Sequence, residues 1–330
     1  MFEEIEVKLL QGQLLETTEM INQTFNAEFI LLGFGNYQIL HIPIYLPFFL
    51  IYLGTMAGNL FIILLVVFDQ HLHIPMYFFL GNLSYLEACS SSNILPQMLF
   101  SLLTGSKLIS YTTCFVQHYF FGSFVSVECY LLSAMSYDRY LAICKPLHYT
   151  TMMNGRICFK LIAYSWISGF LANTITLIII SKLVFCNNRI DHFFCDTFPI
   201  IELFCGDTYA LKVFLYVLSS IFTFPPCILT LTSYTFIIVA IMRMPSTVGK
   251  QKAFSTCSSH LLVVTIFYGT LMSIYVVPNT NKLNGLHKVF SVIYTIITPM
   301  LNPIIYSLRN REVKDSLRRL RYILFKFRKI

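Results

Sequence analysis

Charge is what this sequence has least of: only 12% of its 330 residues are Asp, Glu, Lys or Arg, where soluble domains carry roughly 25%. With 56% hydrophobic residues and a mean hydropathy of +0.68, the chain lacks the polar surface to solvate itself, which excludes an ordinary soluble fold. Also missing are a His/Cys grouping at metal-ligand spacing, a nucleophile elbow and a phosphate-cradling Gly loop, so no enzyme chemistry is expected and no cofactor of that kind. Internal repeats and paired broken helices are absent too, which argues against a transporter or channel. Residues 1–42 are acidic (Glu3, Glu4, Glu6, Glu16, Glu19, Glu28) and hold no basic n-region followed by an apolar h-region. No cleavable signal is therefore expected, and the first apolar run must direct insertion. No cysteine follows Cys257, which excludes a palmitoyl anchor in the C-terminal tail.

What is present is seven apolar runs, near Pro43 to Phe68, Met76 to Phe100, Cys114 to Met135, Ile157 to Ile180, Leu211 to Met242, Phe254 to Val277 and Val289 to Leu308. Crossing the roughly 30 Å of bilayer hydrocarbon takes about 20 helical residues. Without water to satisfy the backbone, only helices or a closed barrel can span, and these runs are continuous rather than alternating with period two. The expected fold is an all-α membrane protein: a seven-transmembrane helix bundle at 43–308, an N-terminal segment at 1–42 and a tail at 309–330. In the tail, Val313, Leu317, Leu320, Leu324 and Phe327 recur at helical spacing among basic residues. That pattern reads as a short amphipathic helix lying on anionic membrane lipid, with a solvated basic tail as the alternative.

The net charge of +7 does not imply nucleic acid, because the charges segregate by side. Sixteen Lys/Arg fall on one side: Arg139, Lys145, Arg156, Lys160, Arg243, Lys250, Lys252 and nine between Arg309 and Lys329. The opposite side holds seven: Lys8, Lys107, Lys182, Arg189, Lys212, Lys282 and Lys288. The positive-inside rule then puts the N-terminus outside and the C-terminus in the cytoplasm of a multi-pass plasma-membrane protein. Asn22-Gln23-Thr24 is an N-glycosylation sequon on the side read as external. Asn82-Leu83-Ser84 also matches but lies inside the second run, beyond the reach of glycosyl transfer.

Cys114, Cys186, Cys195 and Cys205 fall on the oxidising side. Four cysteines permit three pairings. Cys114 tops the third run and the other three share the loop Lys182 to Thr208, so at least one bridge ties or folds that loop. The expected pairs are Cys114 with Cys195 and Cys186 with Cys205, against the alternative of four reduced thiols.

Glu87 lies midway along the second run and Glu128 well inside the third. A carboxylate at that depth costs at least about 3 kcal/mol on insertion scales. Both can face the bundle interior with Asn59, Ser133 and Asn302, an oxygen-rich cluster suited to holding Na⁺ or sharing a proton. The alternative is two protonated carboxyls with structural roles only. Asp138-Arg139-Tyr140 ends the third run at the membrane boundary, where a lone Arg is usually an interface anchor. Pro225-Pro226 in the fifth run and Pro299 and Pro303 in the seventh remove backbone donors, so the helix ladder is expected to break and bend there.

Taken together, several motifs resemble the olfactory receptor family of rhodopsin-like G-protein-coupled receptors. They are Gly58-Asn59; Pro75-Met76-Tyr77-Phe78-Phe79-Leu80; the stretch from Ala134-Met135-Ser136-Tyr137-Asp138-Arg139-Tyr140 to Pro146-Leu147-His148-Tyr149; Ser233-Tyr234; Lys252 to His260; and Pro299 to Asn310. They keep the family's order and spacing between about Phe29 and Lys314. The sequence departs from that pattern in having Glu87 where many members have Asp, and in the nineteen residues ahead of Met20.

The resemblance implies an odorant receptor that binds a small volatile molecule and activates a stimulatory, olfactory-type G protein, raising cAMP. It implies that Arg139 is restrained near Asp138 at rest and faces the G protein after activation. Tyr234 and Tyr306 would support the open arrangement, and Lys250, Lys252 and the end of the sixth helix would line the G-protein cleft. His260 would belong to a switch between the third, sixth and seventh helices, beside Tyr140 and the Asn302-Pro303 pair. The ligand pocket would lie between the outer halves of the third, fifth, sixth and seventh helices, under the disulfide-tied loop. His118, Phe121, Gly122, Val125 and Ser126 would face it from the third helix, and Leu218, Phe222, Tyr268, Leu271, Met272, Tyr275 and Thr295 from the other walls. Such a wall is mostly apolar with a few hydrogen-bonding groups, suited to a compound with one polar function rather than a charged amine.

Overall fold

A computed structural model describes residues 28–33, 41–275, 284–309 and 313–319. Asn22 and the tail beyond 319 lie outside the described residues, as do the side chains of Lys252 and Tyr275.

Seven long helices form the bundle: α1 His41–Phe68, α2 Pro75–Thr104, α3 Tyr111–Cys144, α4 Gly155–Ile180, α5 Thr208–Arg243, α6 Thr247–Tyr275, and α7 in three stretches, Asn284–Val292, a π turn Ile293–Ile297, and Thr298–Arg309. Most are longer than their apolar runs, because hydropathy marks only the lipid-buried part, whereas caps set the ends. Ser110 accepts from the Thr113 N–H, Asn154 from Ile157 and Asp207 from Tyr209, starting α3, α4 and α5. Gly105, at φ 73°, closes α2 in the left-handed conformation. The expected break at Pro225-Pro226 is not found: α5 runs unbroken through both. In α7 the irregularity lies one turn ahead of the proline motif, where the Thr298 N–H and hydroxyl both donate to the Ile293 carbonyl five residues back.

Five of the seven are individually apolar enough to cross a membrane, and the exceptions are α2 and α3. Those two carry Glu87 and Glu128, both nearly inaccessible. Most of the exposed apolar side chains sit on α1 (Leu46, Leu50, Leu64), α4 (Phe159, Ile167, Leu171) and α5 (Val217, Ile221, Ile228). Because lipid is as apolar as leucine, close approach and internal hydrogen bonds hold such helices together. Serines and threonines return their hydroxyls to the carbonyl four residues back, as Ser123 does to Tyr119 and Ser136 to Leu132. Asn93 and Gln117 exchange amide bonds with each other's backbone carbonyls, joining α2 to α3.

One end of the bundle is capped by a three-stranded sheet with no counterpart in the sequence reading: β1 Glu28–Leu31 lies between β2 Leu108–Ser110, antiparallel, and β3 Arg189–Ile190, parallel. Both expected disulfides, Cys114–Cys195 and Cys186–Cys205, are formed. The Gln117 carboxamide oxygen accepts from the Cys195 N–H at 2.9 Å, a second tie beside the first bridge. Lys288 of α7 donates to Asp191 at 2.6 Å and to the Gly33 carbonyl at 3.1 Å, drawing the loop, β1 and α7 together.

Two outcomes follow from this packing. A Cβ at Gly169 of α4 would lie 2.6 Å from Val127 Cγ2 and 2.9 Å from the Ser123 carbonyl oxygen of α3. Gly169→Ala should therefore cost about 1–3 kcal/mol by overpacking, read as a lowered Tm; an unchanged Tm would mean that α3 and α4 are free to separate. His192 is buried in the loop between Phe193 and Phe194. Burial, then the Lys288 charge and His287, push its pKa down to about 3 from 6.5, against Asp191, which acts the other way. The neutral ring is thus the folded form. Its stability is fully present above about pH 6.5 and is lost as pH falls below that, by at most about 1.4 kcal/mol per unit. The Tm of the wild type should drop between pH 7 and 5 more steeply than that of His192→Gln; parallel curves would refute the assignment.

Candidate functional site

Three clusters carry the groups that the sequence singled out. At the end opposite the sheet, Arg139 donates from Nη2 to Asp138 Oδ2 at 2.6 Å and from Nε to the same oxygen at 3.1 Å. The Tyr149 hydroxyl donates to Asp138 Oδ1 at 2.8 Å. Asp138 is fully buried, so both of its oxygens are engaged where loss of a partner is costly. Tyr149 ends the motif stretch Ala134 to Tyr149 without having been given a role; its side chain is what closes the pair. Across the cleft, the Tyr234 hydroxyl and His260 Nδ1 are 2.6 Å apart. Among the described residues, His260 Nε2 and the Tyr306 hydroxyl are buried with no hydrogen-bond partner. Tyr140 packs its ring 5.8 Å from Phe236 of α5, and Lys250 stands half-buried in the first turn of α6.

Midway along the bundle, Asn302 donates to Glu87, and Glu128 stands beside Glu87 and Tyr294. Asn59 spends its amide donors on the Thr55 and Pro299 carbonyls at 3.0 and 3.1 Å. Among the described residues, the mid-bundle oxygens left buried and unbonded are Asn59 Oδ1, Ser91 Oγ, Glu128 Oε1 and Asn302 Oδ1. Pro303 lies over Gly58, its Cβ 3.0 Å from where a Cβ at 58 would stand.

Beneath the loop is a cavity of about 140 Å³. Of the residues expected to face a ligand, Phe121, Gly122, Val125, Ser126, Leu218, Phe222, Leu271 and Met272 line it. His118 and Thr295 are buried outside its wall, Thr295 bonded to the Ser291 carbonyl. Tyr268 points toward α3, its hydroxyl donating to the Cys129 carbonyl at 3.2 Å. The fourth wall comes from α4, through Ala172, Asn173 and Thr176, instead of α7. The roof is Asp196, Thr197 and Phe198, the start of the short helix Thr197–Ile201 that Asp196 caps. Hydropathy alone gave no sign that α4 contributes; a lone Asn in an otherwise apolar run was the available signal.

The family model for the olfactory receptor matches residues 48–323. Olfactory receptor 8U9 of Mus musculus is 46% identical over 301 residues, 91% of this chain and 96% of that one. Olfactory receptor 1M1 of Homo sapiens is 45% identical over 300 residues, again 91% and 96%, and olfactory receptor 5B21 of Mus musculus is 46% identical over 301, covering 91% and 94%. Motifs, bundle and relatives agree along the same nine-tenths of the chain, which belongs to the olfactory receptor family.

Proposed function

We propose that this receptor binds a small odorant in the cavity beneath the disulfide-tied loop and activates a stimulatory, olfactory-type G protein, raising cAMP. The sheet-capped end faces outward and the Arg139 end faces the cytoplasm, as the Lys/Arg distribution favours. The observation that carries the reading is the pairing, within one bundle, of a cavity at one end and, at the other, an arginine held by a buried aspartate whose two oxygens are both engaged. An odorant that binds one arrangement of α3, α5 and α6 better than another biases the bundle between two states. In the second state Arg139 leaves Asp138 and Tyr149 and meets the G protein, while Tyr234, Tyr306 and His260 rearrange beside it. Lys250, in the first turn of α6, lines the cleft that the G protein enters.

The mid-bundle oxygens fit a cation: Glu87, Glu128, Asn302, Ser91 and Asn59 would hold Na⁺, which would supply a positive charge beside the two buried carboxyls. Added Na⁺ should raise the Tm of the wild type and leave that of Glu128→Gln unmoved; equal responses would remove the ion from the account.

The function is tested by cAMP accumulation in cells carrying an olfactory-type G protein, across an odorant panel. A dose-dependent signal is expected, lost in Arg139→Ala at matched surface level. Asp138→Asn, which weakens the restraint on Arg139, should raise the ligand-independent signal several-fold. A full response from Arg139→Ala would refute the proposed coupling.

A further inference from the structure

The polar groups in the cavity wall differ in what they can offer a ligand. Ser126 spends its proton on the Gly122 carbonyl at 3.0 Å, and Thr176 donates to Ala172. Ser219, Ser220 and Thr223 of α5 also line the cavity, but hydroxyls turn to donate or accept and so discriminate little. Asn173 is fixed. Its Nδ2 donates to the Gly169 carbonyl at 3.0 Å and to Ser126 Oγ at 3.1 Å. A backbone carbonyl only accepts, so the atom facing Gly169 must be the nitrogen, and the amide cannot be reversed. Its oxygen is left over Gly122, in the space that a side chain there would take: a Cβ at 122 would collide with Oδ1. Among the described residues Oδ1 accepts no hydrogen bond. The wall therefore presents a rigid acceptor, with the Asp196 carboxylate adding acceptor character at the roof and, among the described residues, no Lys, Arg or His lining the cavity.

A ligand that covers Oδ1 without supplying a donor strips it of water and leaves it unpaired, whereas one with an O–H satisfies it. The cavity's 140 Å³ is close to the roughly 150 Å³ that holds benzene in an apolar protein interior, which sets the body of the ligand at about six to eight heavy atoms. The rest of the wall, Phe121, Val125, Phe222, Leu271 and Met272, is apolar. We propose that the receptor is selective for small alcohols and phenols over carbonyl compounds of the same size, through the Asn173 carboxamide oxygen held over Gly122. The inference rests on this cavity being the odorant site.

The test is binding, read as ligand-dependent rise in Tm of the purified full-length receptor, with pairs matched in heavy atoms: cyclohexanol and cyclohexanone, benzyl alcohol and benzaldehyde, 1-hexanol and hexanal. In the wild type each alcohol should bind about tenfold more tightly than its partner. Asn173→Leu should erase that ratio, as should Gly122→Ala, which displaces Oδ1 and keeps the amide. Ser126→Ala, which removes one bond to Nδ2 and leaves Oδ1, should retain it. Carbonyl partners that bind as well as the alcohols, or a preference that survives Asn173→Leu, would overturn the selectivity and leave the receptor reading standing. If no member of any pair binds, the cavity is not the odorant site and both proposals fall.

Discussion

The bilayer supplies no water to the spanning helices, and every polar group on them must be satisfied from within the bundle. That constraint sorts the helices. Those rich in apolar side chains, α1, α4 and α5, face lipid, while α2 and α3, with Glu87, Asn93, Gln117 and Glu128, are drawn to positions where other helices can answer them. The same constraint makes the interior polar groups specific rather than merely tolerated. Asn93 and Gln117 fix the register of α2 against α3, and Asn302 ties α7 to Glu87. A helix sliding by one residue would leave several of these buried and unpaired at once, at about 1–3 kcal/mol each.

Much of this was legible in the sequence because the relevant signals are one-dimensional. Apolar runs of about 20 residues give the number of spans; the Asp138-Arg139-Tyr140 and Asn302-Pro303 motifs give their order; and the placement of Cys114 apart from Cys186, Cys195 and Cys205 required a bridge to or within the loop. The seven helices and both disulfides are as expected. What stayed hidden depends on pairing across space. β1 draws its partners from 108–110 and 189–190, and no periodicity in four residues announces that. Proline was read as a helix breaker at 225–226, yet in α5 the ladder continues on either side, since a spanning helix has nowhere else to satisfy its backbone. The α4 wall of the cavity was missed because α4 reads as lipid-facing, and only the small residue Gly169 lets it come close enough to α3 to bring Asn173 inward.

The chain is a signalling receptor and not an enzyme, so what its structure must explain is how one end affects the other. α3 is the element common to all three clusters: Phe121, Gly122, Val125 and Ser126 line the cavity, Glu128 joins the mid-bundle oxygens, and Asp138-Arg139 form the ion pair. From Ser126 to Asp138 is twelve helical steps, about 18 Å. A rigid rod of that length does not transmit by bending; it transmits by what moves against it. α6 is the neighbour placed to do so. Leu271 and Met272 line the cavity, Tyr268 one turn below donates to the α3 backbone at Cys129, and His260 two further turns below meets Tyr234 beside the arginine. The Tyr268 hydroxyl is a single, exchangeable bond between α3 and α6, set between the cavity wall and the Tyr234–His260 pair. Any ligand that packs differently against Leu271 when that bond is made than when it is broken acquires, through α6, a differential affinity for two arrangements of the cleft, and that difference is all that coupling requires.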